Sequence, residues 1–226
     1  MIKKIFEIVI NWIKTHKYCF AMLYIPAYLI AFFSTNGLYE PSIIVHHPLD
    51  DVIPFVVEFV TVYMLWFPAI MLVLLIVMIL SEKDFKQMAF VMFTGMTISL
   101  IIYAIIPTGL DLRPEVEVNG FCSWLINTVW SNDVPMNVCP SIHVSSSMAV
   151  FFVVWRGELF KKHPILKSII MLFMVAICIS TVFVKQHSVV DVFFGCLLTV
   201  ILYVISEIYI LFRRNRKTTC QKTEMS

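Results

Sequence analysis

A chain of 226 residues that is 60% hydrophobic and only 14% charged falls outside the class of soluble domains, in which about a quarter of residues are charged. The net charge of +2 excludes little as a total, because in a membrane protein the side on which basic residues fall matters more than their sum. No repeat period or low-complexity tract interrupts the chain, so it reads as one integral membrane domain with short tails and no nucleic-acid partner.

Residues 1–17 mix Lys3, Lys4, Lys14 and Lys17 with Ile5, Phe6, Ile8, Val9, Trp12 and Ile13, a pattern that predicts a helix lying in the membrane interface. The apolar run 18–33 follows without a small-residue cleavage site, and is read as a first span instead of a signal peptide. Residues 34–53 form a polar loop containing His46-His47, which suits either a solvated pair or a metal site, although no further ligand spacing lies nearby. A second span covers 54–80, with Glu58 near its outer end either interfacial or paired inside the bundle. After a charged turn at 81–87, a third span is predicted over 88–106.

The longest polar connection, 107–140, carries Pro107-Thr108 and Arg113-Pro114. Its middle, 120–130, predicts a short amphipathic helix with Trp124 and Trp130 at membrane-surface depth. A fourth span opens at Ser141 and ends by Trp155, short for a full crossing. The fifth and sixth spans are placed at 168–184 and 189–212, and a basic tail, 213–226, closes the chain. The fold class is therefore all-α, a six-span transmembrane bundle whose single catalytic domain is 18–212.

Of the six cysteines, Cys19, Cys178 and Cys196 fall inside apolar runs and Cys220 in the basic tail, positions that suit packing or idle thiols. Cys122 and Cys139 share a polar loop, where a bridge is open to them in an oxidising compartment, although spacing alone cannot fix the geometry.

Six spans put both termini in one compartment, and the basic residues then divide sharply. Of 17 Lys and Arg, all but Arg113 and Lys185 fall on the side of the termini. That side is cytoplasmic by the positive-inside rule, so the loops 34–53, 107–140 and 185–188 face outward, and a plasma-membrane location is expected. The two external cations lie in the same loops that carry Ser141, His143, His187 and Asp191. A basic residue retained where the bias disfavours it is expected to hold an anion.

His187 and Asp191 are four residues apart at the start of a helix, so their side chains share a face. A carboxylate accepting from one imidazole nitrogen fixes the tautomer and leaves the other nitrogen as a nucleophile. A helix-end histidine beside an acid favoured by the dipole would show the same letters. Pro140-Ser141-Ile142-His143 opens another helix, where Ser is a good cap and unpaired backbone N–H groups can bind phosphate. His143, one turn in, is placed to protonate a leaving oxygen, and Arg113 to clamp two phosphate oxygens.

The order Arg113-Pro114, then Pro140-Ser141-Ile142-His143, then Ser180 followed by His187 and Asp191, resembles the type 2 phosphatidic acid phosphatase superfamily of six-helix membrane enzymes. The resemblance implies that His187 attacks phosphorus to form a phosphohistidine, that Asp191 orients it and that His143 protonates the leaving group. It implies that Arg113 and Ser141 bind phosphate oxygens and puts Ser180, in the last motif, among the substrate-binding residues. The substrate is expected to be a lipid phosphate, and neither metal nor cofactor is expected.

Two positions depart from the family pattern. Ile106 stands where a lysine is usual, seven residues before Arg113, and Thr181 where an arginine usually follows the serine. Each missing charge-assisted contact is worth roughly 1.5–3 kcal/mol, so a dianionic monoester is less well neutralised; Lys185 is expected to return one charge. The Pro107-Thr108 to Arg113-Pro114 segment, the 46–55 stretch and Ser-Ile-His in place of Ser-Gly-His are similar to the branch that includes inositol phosphorylceramide and sphingomyelin synthases, which transfer head groups through a diester. The expected function is a lipid phosphatase or phosphotransferase at the outer face, with a head-group transferase as the alternative. A non-catalytic lipid-binding or transport protein is disfavoured by the joint retention of His143, His187 and Asp191.

Overall fold

The computed structural model of the chain describes residues 2–35 and 40–224, which are mostly helical. Helix α1 is Ile2–Thr15, and a 3-10 stretch, Lys17–Leu23, leads into α2, Tyr24–Thr35. Strand β1 (Ile43–Ile44) and the short α3 (Pro48–Val52) precede α4 (Val60–Met64) and α5 (Trp66–Leu80), which form one rod broken at Leu65. Next come α6 (Glu82–Ile105), strand β2 (Thr108–Gly109) and α7 (Phe121–Asn132). The chain ends with α8 (Ile142–Arg156), α9 (Glu158–Lys161), α10 (Pro164–Phe183) and α11 (Val189–Glu224).

Five segments among the described residues are long and apolar enough to cross a membrane: Lys17–Thr35, Val57–Leu80, Glu82–Ile105, Pro164–Phe183 and Val189–Arg216. The remaining span predicted from the sequence is α8, whose 15 residues reach only about 22 Å at 1.5 Å per residue. It packs between α6, α10 and α11, and Val144, Ala149, Val150, Val153 and Val154 are buried along it. By contrast Leu72, Ile79, Ile165 and Leu172 are exposed on the outer faces of α5 and α10, an apolar girdle that suits a hydrocarbon environment.

Several predicted boundaries move. The charged segment 81–87 is the N-cap and the opening turns of α6, because Ser81 is its N-cap, the hydroxyl accepting from the Asp84 N–H at 3.3 Å. The basic tail continues α11 as helix to Glu224 instead of leaving it at residue 212. Glu58 is exposed, so it is not a partner inside the bundle. His47 caps α3, its Nδ1 accepting from the Leu49 N–H at 3.1 Å, and His46 pairs with Asp51 at 2.9 Å. Cys122 and Cys139 are both free thiols.

The two long loops are stitched together. β1 and β2 pair in parallel, Ile43 opposite Thr108 and Ile44 opposite Gly109, and Gly109 also bridges to Met136. The Thr108 hydroxyl accepts from the N–H groups of Val138 and Cys139, both at 3.1 Å. A Cβ at Gly109 would lie 2.7 Å from Pro41, so only glycine lets the loops approach this closely. The stitched loops form the rim above the start of α8.

Candidate active site

The site forms where α8 and α11 begin side by side. The Ser141 hydroxyl caps α8, accepting from the Val144 N–H at 3.3 Å, and the Ser141 N–H donates to the Asp191 carbonyl at 3.2 Å. Gly195, one turn beyond Asp191, lets the helices touch: a Cβ there would lie 2.9 Å from the Ser141 carbonyl oxygen and 3.1 Å from Val144 Cβ. Backbone contact therefore fixes the first turns of both helices against each other.

That contact brings the two predicted histidines together. His143 Nδ1 lies 3.2 Å from His187 Nε2, across 44 residues of sequence. His187 Nδ1 lies 3.2 Å from Asp191 Oδ2, and both partners are buried. Asp191 Oδ2 also accepts from the Ser188 N–H at 2.9 Å. With the carboxylate ionised, His187 carries its proton on Nδ1 and presents the Nε2 lone pair to the cavity side. The loop before it is pinned by one carbonyl, since the N–H groups of Gln186 and His187 both donate to the Thr181 oxygen, at 2.9 and 3.1 Å. His143 is held between rings, with centroids 4.2 Å from Trp66 and 4.8 Å from Tyr63.

Arg113 reaches the same cavity. Its guanidinium donates to the carbonyls of Trp130 (3.2 Å) and Asp133 (2.7 Å) and to Gln186 Oε1, while Nε is buried without a partner among the described residues. Burial pulls the Arg113 pKa down, opposed by the neighbouring Asp133 carboxylate. Asp133 Oδ2 accepts from Gln186 Nε2 at 3.1 Å and from the Tyr63 hydroxyl at 3.5 Å. Burial pushes the Asp133 carboxyl up, against the opposing pull of His187 and Arg113.

These groups line a cavity of about 370 Å³ that continues among Leu29, Phe32, Phe33, Met64, Phe67 and Leu125. One end is polar and carries the imidazoles; the other is apolar and aromatic. Cys139, against Asp191, has its thiol pushed up to about 12 by burial and then by the Asp191 charge. It is held as a thiol and not as a nucleophile.

Of the residues singled out from the sequence, His143, His187 and Arg113 line this cavity, and Asp191 stands directly behind His187. The other three are placed elsewhere. Ser141 is fully buried and spends its hydroxyl on the helix cap. Ser180 is fully buried with its hydroxyl donating to the Ile177 carbonyl of its own helix at 2.7 Å. Lys185, expected to restore a phosphate-binding charge, donates instead to the carbonyls of Asp50 (2.7 Å) and Ile53 (2.6 Å). An ammonium anchored below the rim is not aimed at the cavity.

Sequence reasoning missed Asp50, Tyr63, Trp66, Asp133 and Gln186. Asp50 is buried and binds the turn after His187: Oδ2 accepts from the Ser188 hydroxyl at 2.6 Å and Oδ1 from the Val189 N–H at 2.9 Å. A signal for it existed in His47-Pro48-Leu49-Asp50, a capping-box pattern in which Asp50 also accepts from the His47 N–H at 2.9 Å. No local pattern marks Tyr63, Trp66, Asp133 or Gln186, whose roles arise from packing between distant segments.

The crystal structure of LpxE from Aquifex aeolicus aligns with 80% of this chain and 94% of that chain, at 20% identity and a TM-score of 0.47. No curated protein sequence matches. The family model of the PAP2 superfamily matches residues 89–216, a stretch that is more than half of the chain and contains Arg113, His143, His187 and Asp191. The chain belongs to the PAP2 superfamily.

Proposed function

We propose that the protein is an integral membrane phosphatase or phosphotransferase that acts on a lipid phosphate through a phosphohistidine on His187. The observation that carries this reading is the line Asp191–His187–His143, two contacts of 3.2 Å that leave His187 Nε2 facing the second imidazole. In the first step Nε2 attacks phosphorus, the N–P bond forms as the ester P–O bond breaks, and His143 delivers a proton to the departing oxygen. In the second step water or an acceptor hydroxyl gives a proton to His143 and attacks phosphorus, freeing His187. Asp191 fixes the tautomer, and Arg113 binds phosphate oxygens after exchanging carbonyl partners for them. Membership of the PAP2 superfamily and the apolar limb of the cavity support a lipid substrate.

A phosphorus atom does not fit between nitrogens 3.2 Å apart, since attack itself requires about 3–3.5 Å from nitrogen to phosphorus. Substrate binding therefore opens the His143–His187 contact. We place α8 as the fourth of six crossings, the termini and the 213–226 tail in the cytoplasm, α1 in the interface and the site at the outer face of the plasma membrane. The sorting of basic residues supports that orientation. Residues 18–212 act as one catalytic domain, using no metal ion or cofactor.

A second reading, transfer of a lipid head group through a phosphodiester, is favoured by one observation. Lys185 is committed to Asp50 and Ile53, which leaves Arg113 as the one lysine or arginine lining the cavity among the described residues.

The test is to react the purified protein with phosphorus-labelled lipid substrate, quench rapidly and map the label. An acid-labile, base-stable label on His187, absent in His187→Asn, is the expected result. A labelled serine, threonine or aspartate would reject the mechanism.

A further inference from the structure

The cavity holds a charge that the family motifs do not include. Among the described residues lining it, the formally charged side chains are Arg113 and Asp133, and they oppose each other. Asp133 is not a stray surface acid: Gln186 Nε2 and the Tyr63 hydroxyl both donate to Oδ2, and Gln186 is itself held by the Arg113 guanidinium. The other oxygen, Oδ1, accepts no protein hydrogen bond among the described residues, and Asp133 is part of the cavity lining. Gln186 immediately precedes His187, so the carboxylate is tied to the turn on which phosphorus would be attacked. The groups whose charge acts on Asp133 are His187 and Arg113, while the Tyr63 hydroxyl and the Gln186 amide act on it through hydrogen bonds; Lys185 is turned away to the carbonyls of Asp50 and Ile53.

We infer that Asp133 is a specificity-determining residue that discriminates by charge, rejecting dianionic phosphate monoesters and admitting monoanionic phosphodiesters. This rests on the functional reading above and narrows it. One guanidinium is offset by one carboxylate, so the Arg113 and Asp133 charges on the cavity lining cancel. A monoanion brought to Arg113 leaves a single negative charge near Asp133, whereas a dianion leaves two in a partly water-excluded space. The second charge, several ångströms from the carboxylate at an effective dielectric near 20, costs roughly tenfold or more in binding.

The experiment compares 4-nitrophenyl phosphate, a dianion at pH 8, with ethyl 4-nitrophenyl phosphate, a monoanion with the same leaving group. The ratio of kcat/KM values is measured for the intact protein in detergent and for Asp133→Asn and Asp133→Glu. The expected result is that Asp133→Asn shifts the ratio towards the monoester by at least tenfold, while Asp133→Glu, which keeps the charge, leaves it within about threefold of the parent. An unchanged ratio in a folded Asp133→Asn protein overturns the inference. A binding arm separates this from failure of the functional reading: by calorimetry at pH 8, inorganic phosphate should bind Asp133→Asn at least tenfold more tightly than the parent, whether or not either ester is turned over. Equal affinities would overturn the assignment of Asp133 even if a phosphohistidine forms.

Discussion

The Asp50 carboxylate and the Ser188 hydroxyl, 138 residues apart in sequence, meet at 2.6 Å inside the protein. Asp50 also accepts from the N–H groups of Val189 and His47, both at 2.9 Å, so it clamps the turn that presents His187 to the loop between the first two long apolar segments. Asp50→Asn replaces one acceptor with a donor facing another donor. A buried charge-assisted hydrogen bond is worth about 1.5–3 kcal/mol, and a loss of that size is expected in thermal unfolding in detergent. Turnover should fall at least tenfold as the His187 turn loosens. Parent-like unfolding together with parent-like turnover would show that the clamp is dispensable.

Gly195 should resist replacement even by alanine. A methyl group there meets the Ser141 carbonyl at 2.9 Å and Val144 Cβ at 3.1 Å, and a backbone oxygen cannot swing aside as a side chain can. Gly195→Ala must push α11 off α8, lengthening the His143–His187 contact. Overpacking costs typically 1–3 kcal/mol, and a displacement of about 1 Å costs on the order of a hundredfold in rate. The measurement is kcat on an activated aryl ester beside a melting curve; an unchanged kcat would mean that helix contact does not set the alignment.

Lys185 has backbone φ of 54°, an uncommon conformation for a residue with a side chain. Its ammonium makes contacts of 2.7 and 2.6 Å with two carbonyls that help to hold it there. Lys185→Met removes both donors and strands the carbonyls of Asp50 and Ile53 in a buried place. Unfolding should shift downward by about 2–5 kcal/mol for the two lost bonds, kcat should drop, and KM for a phosphate ester should stay within about twofold, because the ammonium does not touch the cavity. A raised KM with unaltered stability would instead make Lys185 a phosphate ligand.

Much of the site was legible because its chemistry sits at helix starts. Pro140-Ser141 announces the first turn of α8, and His187-x-x-x-Asp191 the first turn of α11, so spacing alone puts each side chain at a predictable depth. The sorting of basic residues then puts both starts at one end of the bundle. The cradle around the histidines was not legible, for three physical reasons. Ser141 and Ser180 are residue types that satisfy backbone groups as readily as ligands, and buried helix ends claim both hydroxyls. Lys185 precedes His187 by two residues, but the left-handed turn sends its side chain away from the cavity. Asp133 and Tyr63 come from segments 70 residues apart, and no local periodicity reports such a meeting. Boundaries failed where capping outweighed hydropathy, as at Ser81, whose hydroxyl starts α6 within a charged stretch that reads as a turn.

The Asp133 carboxyl also has a consequence for stability against pH. Burial raises its pKa in the folded protein, and the charges of Arg113 and His187 only partly oppose that rise. A raised folded pKa means that the folded state binds the proton more tightly than the unfolded chain does. Its favourable contribution is therefore fully present below the unfolded carboxylate value, about 3.9, and is lost as pH rises through the folded value. Asp133→Asn, which cannot ionise and keeps an oxygen for Gln186 and Tyr63, lacks that loss. The expected outcome is that the variant unfolds at a temperature equal to or above that of the parent at pH 7, and that its advantage shrinks as pH is lowered towards 4. Melting curves in one detergent from pH 4 to pH 8 check this. A variant less stable than the parent at neutral pH, with a gap that narrows on acidification, would show that the ionised carboxylate is stabilised by Arg113 by more than burial costs it.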